Sequence, residues 1–498
     1  MKIKPVAALI GCMMIWAPLV SHAATMSMSS PVHDPAPSPV LSSDAAVTAA
    51  SHPVSFVDAW QAVVTGNDGL AADRANVDRY RHMQDAASDL YLPNISATAK
   101  YTRFDQAVEV KPTDLIESMP AGDAIANLAA ALGVNGSNLD ALFTSQLTDR
   151  DVFTSSIRAI WPIFTGGRIN AVQDIAQGQT EEAQYQLAMK QQGTFEDLAK
   201  FYFGVALTQK VLDTRIEVEQ GLKKHFHHAQ QLEQQGQIAK VERLQAQVAY
   251  DKARVERQKA QREMEIAQVA LTKLLQLDTP AVPSTALFIN PSLPPMSAFI
   301  DKTLVDYPGL HILDAKKKQA SGMMTAEKGK YYPEVYLYGN YSLHEDDTLA
   351  AKTAPDWAVG VGVNIPLLDN SGRSGKVKAA HSAMKQVDYL RAQAEQDLTV
   401  LVEKTYREAM QALEEYNGLA SSLSLASENV LLREKAFNQG LSTSLDVVDA
   451  ELYLASVKTQ RVVAAYQYVI SLTRLLAISG EINQFHHYQQ FQGIEVQS

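Results

Sequence analysis

The sequence predicts a mainly α-helical protein with a membrane β-barrel part, built from one unit written twice: two β-strands, a long helix and a shorter returning helix. Three observations predict it. Anchor residues recur in the same order at near-constant separation. Four runs of about ten residues alternate apolar with polar or small side chains, the period and length of membrane-crossing strands. Two proline-free stretches, Arg168 to Gln235 and Arg373 to Gln439, are dominated by Ala, Gln, Glu, Lys and Leu, and each is long enough for a helix of about 100 Å.

In chain order, MKIKPVAALIGCMMIWAPLVSHAA has two lysines, an apolar stretch and then Ser21 and Ala23, the layout of a signal peptide over residues 1–23. Leu9-Ile10-Gly11-Cys12 loosely fits a lipoprotein processing box, but the apolar stretch runs on past Cys12. That residue is the sole cysteine, so cleavage before Ala24 leaves no disulfide. Residues 24–53, rich in Ser, Pro, Met and His, read as a disordered leader. A formal net charge of −11 without a basic block argues against nucleic acid as a partner.

The first repeat spans 54–278 and the second 306–480, joined by a linker over 279–305 and followed by a tail over 481–498. Pro162 and Pro366, Tyr202 and Tyr406, and Gln235-Gly236 and Gln439-Gly440 are each separated by 204 positions. Tyr91-Leu92-Pro93 and Tyr331-Tyr332-Pro333 stand 240 apart, so the first copy carries about 36 extra residues. They fall in an acidic insertion over 105–151, expected outside the cell, with short helices near Ala124 to Leu132. The strands are read at 94–104 and 152–164, then 334–344 and 356–367. Val335, Leu337, Gly339 and Tyr341 interleave with Tyr336, Tyr338 and Asn340, and Val359, Val361 and Val363 with Gly360 and Gly362. Four strands cannot close a barrel and open edges are not viable in lipid, so this reading demands oligomerisation.

The long helices are read at 168–235 and 373–439. Val377, Met384 and Leu398 share one heptad position and Ala380, Val387, Ala394 and Leu401 another, a seam for lateral coiled packing. Returning helices follow at 241–277 and 445–478, the second opened by Thr443-x-x-Asp446 as a capping box. WPIFTGGR and NIPLLDNSGR read as strand-to-helix junctions. Pro162 and Pro366 each withdraw a ladder donor, and Gly166, Gly167 and Gly372 permit the turn. His225, His227 and His228 are expected on a solvated surface, without the partners of a metal site. No nucleophile with a base, zinc spacing or phosphate loop appears, so neither an enzyme nor a cofactor is expected.

The duplicated order, PIFTGGR after the second strand and GLSTSLDVVDAE from Gly440 to Glu451 resemble the TolC family of outer-membrane efflux ducts over nearly all of the mature chain. The resemblance implies a homotrimer whose protomers each give four strands to a twelve-stranded barrel in outer-membrane lipid, with the helices forming a periplasmic tunnel. It also implies a periplasmic adaptor and an inner-membrane pump of RND, ABC or MFS type. Asp446 and Asp449 match the acidic rings of the family's pore constriction. Glu242, Ser442 and Phe437 match its gate fastening, with the usual arginine and tyrosine missing, so the gate is expected to be looser or held by Lys240 or Arg243. The turns carrying Gln235, Gly236, Gln439, Gly440, Leu441 and Ser442 are the implied adaptor-docking tips. A soluble periplasmic coiled-coil scaffold without a pore is the competing reading.

Overall fold

The computed structural model describes residues 52–345, 355–368 and 370–496. The signal-peptide and lipidation readings, and the leader as far as residue 51, lie outside them. The end of the leader is corrected. His52–Val54 form a strand, β1, because their backbone pairs in parallel with Ala281–Pro283, β6, in the linker. Helices α1 (Phe56–Gly66) and α2 (Asp68–Ser88) lead to β2 (Asn94–Arg103). The insertion follows as a hairpin, β3 (Val108–Val110) with β4 (Ser145–Thr148), around α3 (Pro112–Ser118), α4 (Gly122–Ala131) and α5 (Gly136–Phe143). Then come β5 (Asp151–Phe164), the long α6 (Arg168–Gln234) and the returning α7 (Lys240–Leu274).

After β6, β7 (Phe288–Ile289) leads into α8 (Met296–Asp306) and α9 (Pro308–Gly329). The second unit repeats the first as β8 (Glu334–Glu345), β9 (Trp357–Asn364), α10 (Arg373–Asn438) and α11 (Ser444–Ile478). Helix α12 (Phe485–Gln490) and β10 (Ile494–Glu495) close the described chain. The first returning helix stops at Leu274, short of the expected 277, where Leu275 and Gln276 cap α7 and Gln276 takes a positive φ, whereas the second ends at Ile478. Gly236 and Gly440, both at φ 72°, end the long helices as anticipated.

The main core lies where the two helical pairs pass the linker. Phe56, Phe195, Phe203, Phe288 and Phe485 pack edge-on or stacked within it. Buried Tyr202 donates its hydroxyl to the Val54 carbonyl at 2.7 Å and accepts from the Thr285 N–H at 2.9 Å, fastening β1 and the linker to α6. Aromatic contacts of this kind add about 0.5–1.5 kcal/mol each beyond area burial. Helix α11 is long and apolar enough to cross a membrane, but most of its apolar window is buried between helices, which marks it as a core helix.

The heptad seam is present. Val377, Ala380, Met384, Val387, Ala394 and Leu401 are half-buried and Leu398 fully buried, and along this part of α10 the ion pairs Lys317–Asp388 and Arg391–Asp314 tie it to α9. Of the three histidines expected on a solvated surface, His227 is exposed, His228 is half-buried and His225 departs from the expectation. His225 is buried, because its position on α6 faces α10 and α11 rather than solvent; its ring lies 4.6 Å from that of Phe437.

Candidate functional site

The four long strands form one antiparallel sheet in the order β2-β5-β8-β9. Its register decides what each face carries. Ala97 pairs with Ile157, Ile157 with Tyr341 and Tyr341 with Trp357, while Trp161 pairs with Leu337 and Leu337 with Val361. These residues share one face, and Tyr101, Leu337, Tyr341, Trp357, Val359, Val361 and Val363 are all exposed on it. The other face carries Ser96, Thr98, Lys100, Thr154, Ser156, Arg158, Tyr338 and Asn340. A greasy face continuous over four strands is what lipid requires and what water penalises; at roughly 25 cal/mol per Å² each exposed Val or Leu would cost about 1–3 kcal/mol in water. Both outer edges, β2 and β9, lack a partner among the described residues of the single chain.

The first junction is tightly built. Gly166 has φ 63°, and a Cβ there would stand 2.4 Å from the Gly329 carbonyl oxygen. Gly167, at φ 81°, caps α6 in open space. Arg168 pairs with Glu334 at the start of β8, and the Trp161 indole donates to the Tyr91 carbonyl at 2.8 Å. Pro162 lies opposite Tyr336 at the end of the β5–β8 pairing, where the register shifts. At the second junction Gly372 is left-handed, and Arg373 donates to the Pro366 and Lys330 carbonyls. Sequence reasoning singled out the prolines and glycines and included Arg373 in its motif, but not Gly329 or Glu334, whose contacts with Gly166 and Arg168 depend on the two repeats meeting.

At the far end of the long helices the tips come together. Thr443 and Asp446 form the capping box: the Thr443 N–H donates to Asp446 at 2.9 Å and the Asp446 N–H to the Thr443 hydroxyl at 3.2 Å. Ser442 also donates to Asp446, at 3.0 Å, and Arg433 stands 3.5 Å away. The Thr443 backbone N–H, then the Thr443 and Ser442 hydroxyls, hold the Asp446 carboxyl below the usual range. Within one chain its own cap therefore acts against the mutual repulsion expected of an acidic ring. Asp449 is exposed and lines an apolar groove of about 700 Å³ with Val241, Leu244, Val248 and Leu445.

Glu242 accepts the Ser444 N–H at 2.7 Å, an orphan donor of the first turn of α11, and so ties α7 to α11. Arg243 is engaged within its own hairpin, 2.7 Å from Glu233 and 2.8 Å from Gln247. Phe437 is only 2% exposed and packs with Ala229, Ala246 and Val447. The Ser444 hydroxyl meets His225 Nε2 at 2.7 Å, and burial pushes that histidine down to about 4. Gln235, Gly236, Gln439, Gly440 and Leu441 are exposed at the two turns. Arg433, His225 and Ser444 were not anticipated, since they act across helices far apart in sequence.

Among the described residues no cluster could hold a metal ion. A family model described as outer membrane efflux protein matches residues 61–276 and 300–481. The chain is 20% identical over 339 residues to Protein CyaE of Bordetella pertussis, covering 66% of this chain and 71% of that protein. It is 23% identical over 337 residues to Outer membrane protein TolC of Vibrio cholerae, covering 62% and 73%. The fold matches the crystal structure of CusC with a TM-score of 0.68 at 13% identity, over 86% of this chain and 93% of that one. With the match spanning both repeats, and a sheet greasy on one face and open at both edges, this chain belongs to the outer membrane efflux protein family.

Proposed function

We propose that three copies close a twelve-stranded barrel and serve as the exit duct of a tripartite efflux or type I secretion system. An inner-membrane pump of RND, ABC or MFS type would supply the energy and a periplasmic adaptor the connection, docking at the tips around Gln235, Gly236, Gln439, Gly440, Leu441 and Ser442. Cargo then moves through the duct by diffusion. The observation that carries this reading is the sheet register, which puts apolar side chains on one continuous face while leaving the outer edges of β2 and β9 unpaired among the described residues. Strand edges in lipid must be closed, and a neighbouring copy closes them at no cost in new sequence.

Asp446 and Asp449 are the proposed constriction, with three copies of each facing the lumen. Glu242 holds it shut through the Ser444 N–H, Ser442 supports Asp446, and Phe437 acts from beneath as packing. Arg243, paired with Glu233 in its own hairpin, takes no part in the fastening in this reading. The test is fractionation followed by mass measurement. The protein should stay with the outer membrane after high-salt washing and carry three chains in detergent. A monomer released by salt would sink the duct and favour the scaffold. For the gate, E242A should raise single-channel conductance while E242Q, which keeps an acceptor, stays near wild type. Equal conductance in all three would remove Glu242 from it.

A further inference from the structure

We infer that Arg158 provides an anion-binding ring in the barrel lumen, one guanidinium from each protomer, which selects for cargo bearing carboxylate, phosphate or sulfonate groups. This rests on the duct reading above. Arg158 lies mid-strand on the polar face of β5 and is exposed. Level with it stand Ser96 on β2, Asn340 on β8 and Ala358 on β9, none of which is charged. One pair nearer the helices the level reads Asn94, Ile160, Tyr338 and Gly360, and the next reads Pro162, Tyr336 and Gly362. No carboxylate occupies these positions.

On closure of the barrel the edge of β2 meets a neighbouring copy's β9, whose residues Trp357 to Asn364 carry no charge. Toward the outer end, Lys100 pairs with Thr154, and Asp356 precedes β9 with its carbonyl accepting the Ser342 N–H at 2.7 Å. Glu345 also stands opposite Thr154 on the Lys100 level, and Asp356, one level nearer Arg158, is the acid to be tested against the ring.

The wall beside Arg158 is flattened. A Cβ at Gly360 would stand 2.7 Å from Tyr338 Cζ, and one at Gly362 would stand 2.4 Å from Tyr336 Cζ. The two phenols therefore lie across the glycine backbone instead of projecting. Arg158 is left as the long side chain that reaches into the passage on its level and on these two toward the helices; beyond them Glu334, opposite Asn364, is paired with Arg168. A guanidinium forks onto planar anions with two parallel hydrogen bonds, and repetition around a confined lumen concentrates the field.

The test uses the purified trimer in planar bilayers, reading the reversal potential in a KCl gradient and the block by tripolyphosphate added from the barrel side. R158Q should shift the reversal potential toward cation selectivity and weaken the block by about tenfold or more. R158K should retain most of it, and D356N should leave it essentially unchanged. A conducting R158Q trimer with wild-type block and reversal potential overturns the ring alone. A block governed by D356N instead of R158Q does the same. Absence of channel current from the wild-type trimer overturns the duct reading and the ring with it.

Discussion

Gly166 and Gly167 are neighbours, both left-handed, and they differ in what surrounds them. At Gly167 an alanine meets open space, so only the left-handed strain of about 1–2 kcal/mol is expected. At Gly166 a methyl group collides with the Gly329 carbonyl, and the Ala variant should lose more than that, seen as a lower melting temperature and less trimer surviving mild heating in detergent. Equal losses would mean that the close approach to Gly329 relaxes freely. Glu451 shows the same dependence on surroundings. Its carboxylate sits over Gly221, whose added Cβ would stand 2.6 Å from Oε1. Burial first, then the nearby Glu434 and Glu217, push it from 4.5 up to about 7 against the opposing pull of Lys458 and Lys224. The folded state thus binds this proton more tightly than the unfolded chain. Its relative stability is greatest below pH 4.5, falls as pH rises toward about 7, and is then constant. E451Q should flatten that fall and melt higher than the parent at pH 8 but not at pH 4; thermal unfolding at both pH values checks it.

At the scale of elements, period carried the reading furthest. Alternation along β8 and β9 marked Val335, Leu337, Val359 and Val361 as one face, and the cross-strand register joins them. The heptads of α10 emerged for the same reason, since a repeat along one helix needs no knowledge of its partner. Helix ends were legible where a residue acts locally, as in the Thr443 capping box and the left-handed Gly440. Pairing across strands was less legible: nothing in the alternation of β9 says that Gly360 and Gly362 make room for tyrosines of β8. Replacing Gly362 by Val should push Tyr336 off the wall, with a cost of about 1–3 kcal/mol from overpacking. Single-channel conductance should fall and the trimer should dissociate at a lower temperature, whereas unchanged conductance would show the phenol free to move elsewhere.

For the whole molecule, the insertion is a separable part. Its β3–β4 hairpin and helices α3, α4 and α5 pack chiefly on one another, with Thr113 donating to Asp140 at 2.7 Å. Excision of residues 106–149 with a short Gly-Ser replacement should leave trimer mass and helical circular dichroism per remaining helix unchanged. Loss of the trimer would show that the insertion organises the barrel. The sequence by itself determined the duplication, the two junctions, the long helices and the family, because repeats, prolines, glycines and hydrophobic periods are properties of the chain in order. Only the tertiary structure decided that His225 is buried, that β1 pairs with the linker, that Glu242 caps α11 and that Arg158 stands without an acidic neighbour on its level. Those outcomes depend on which surfaces meet across some two hundred residues of chain, and local propensity holds no record of that meeting.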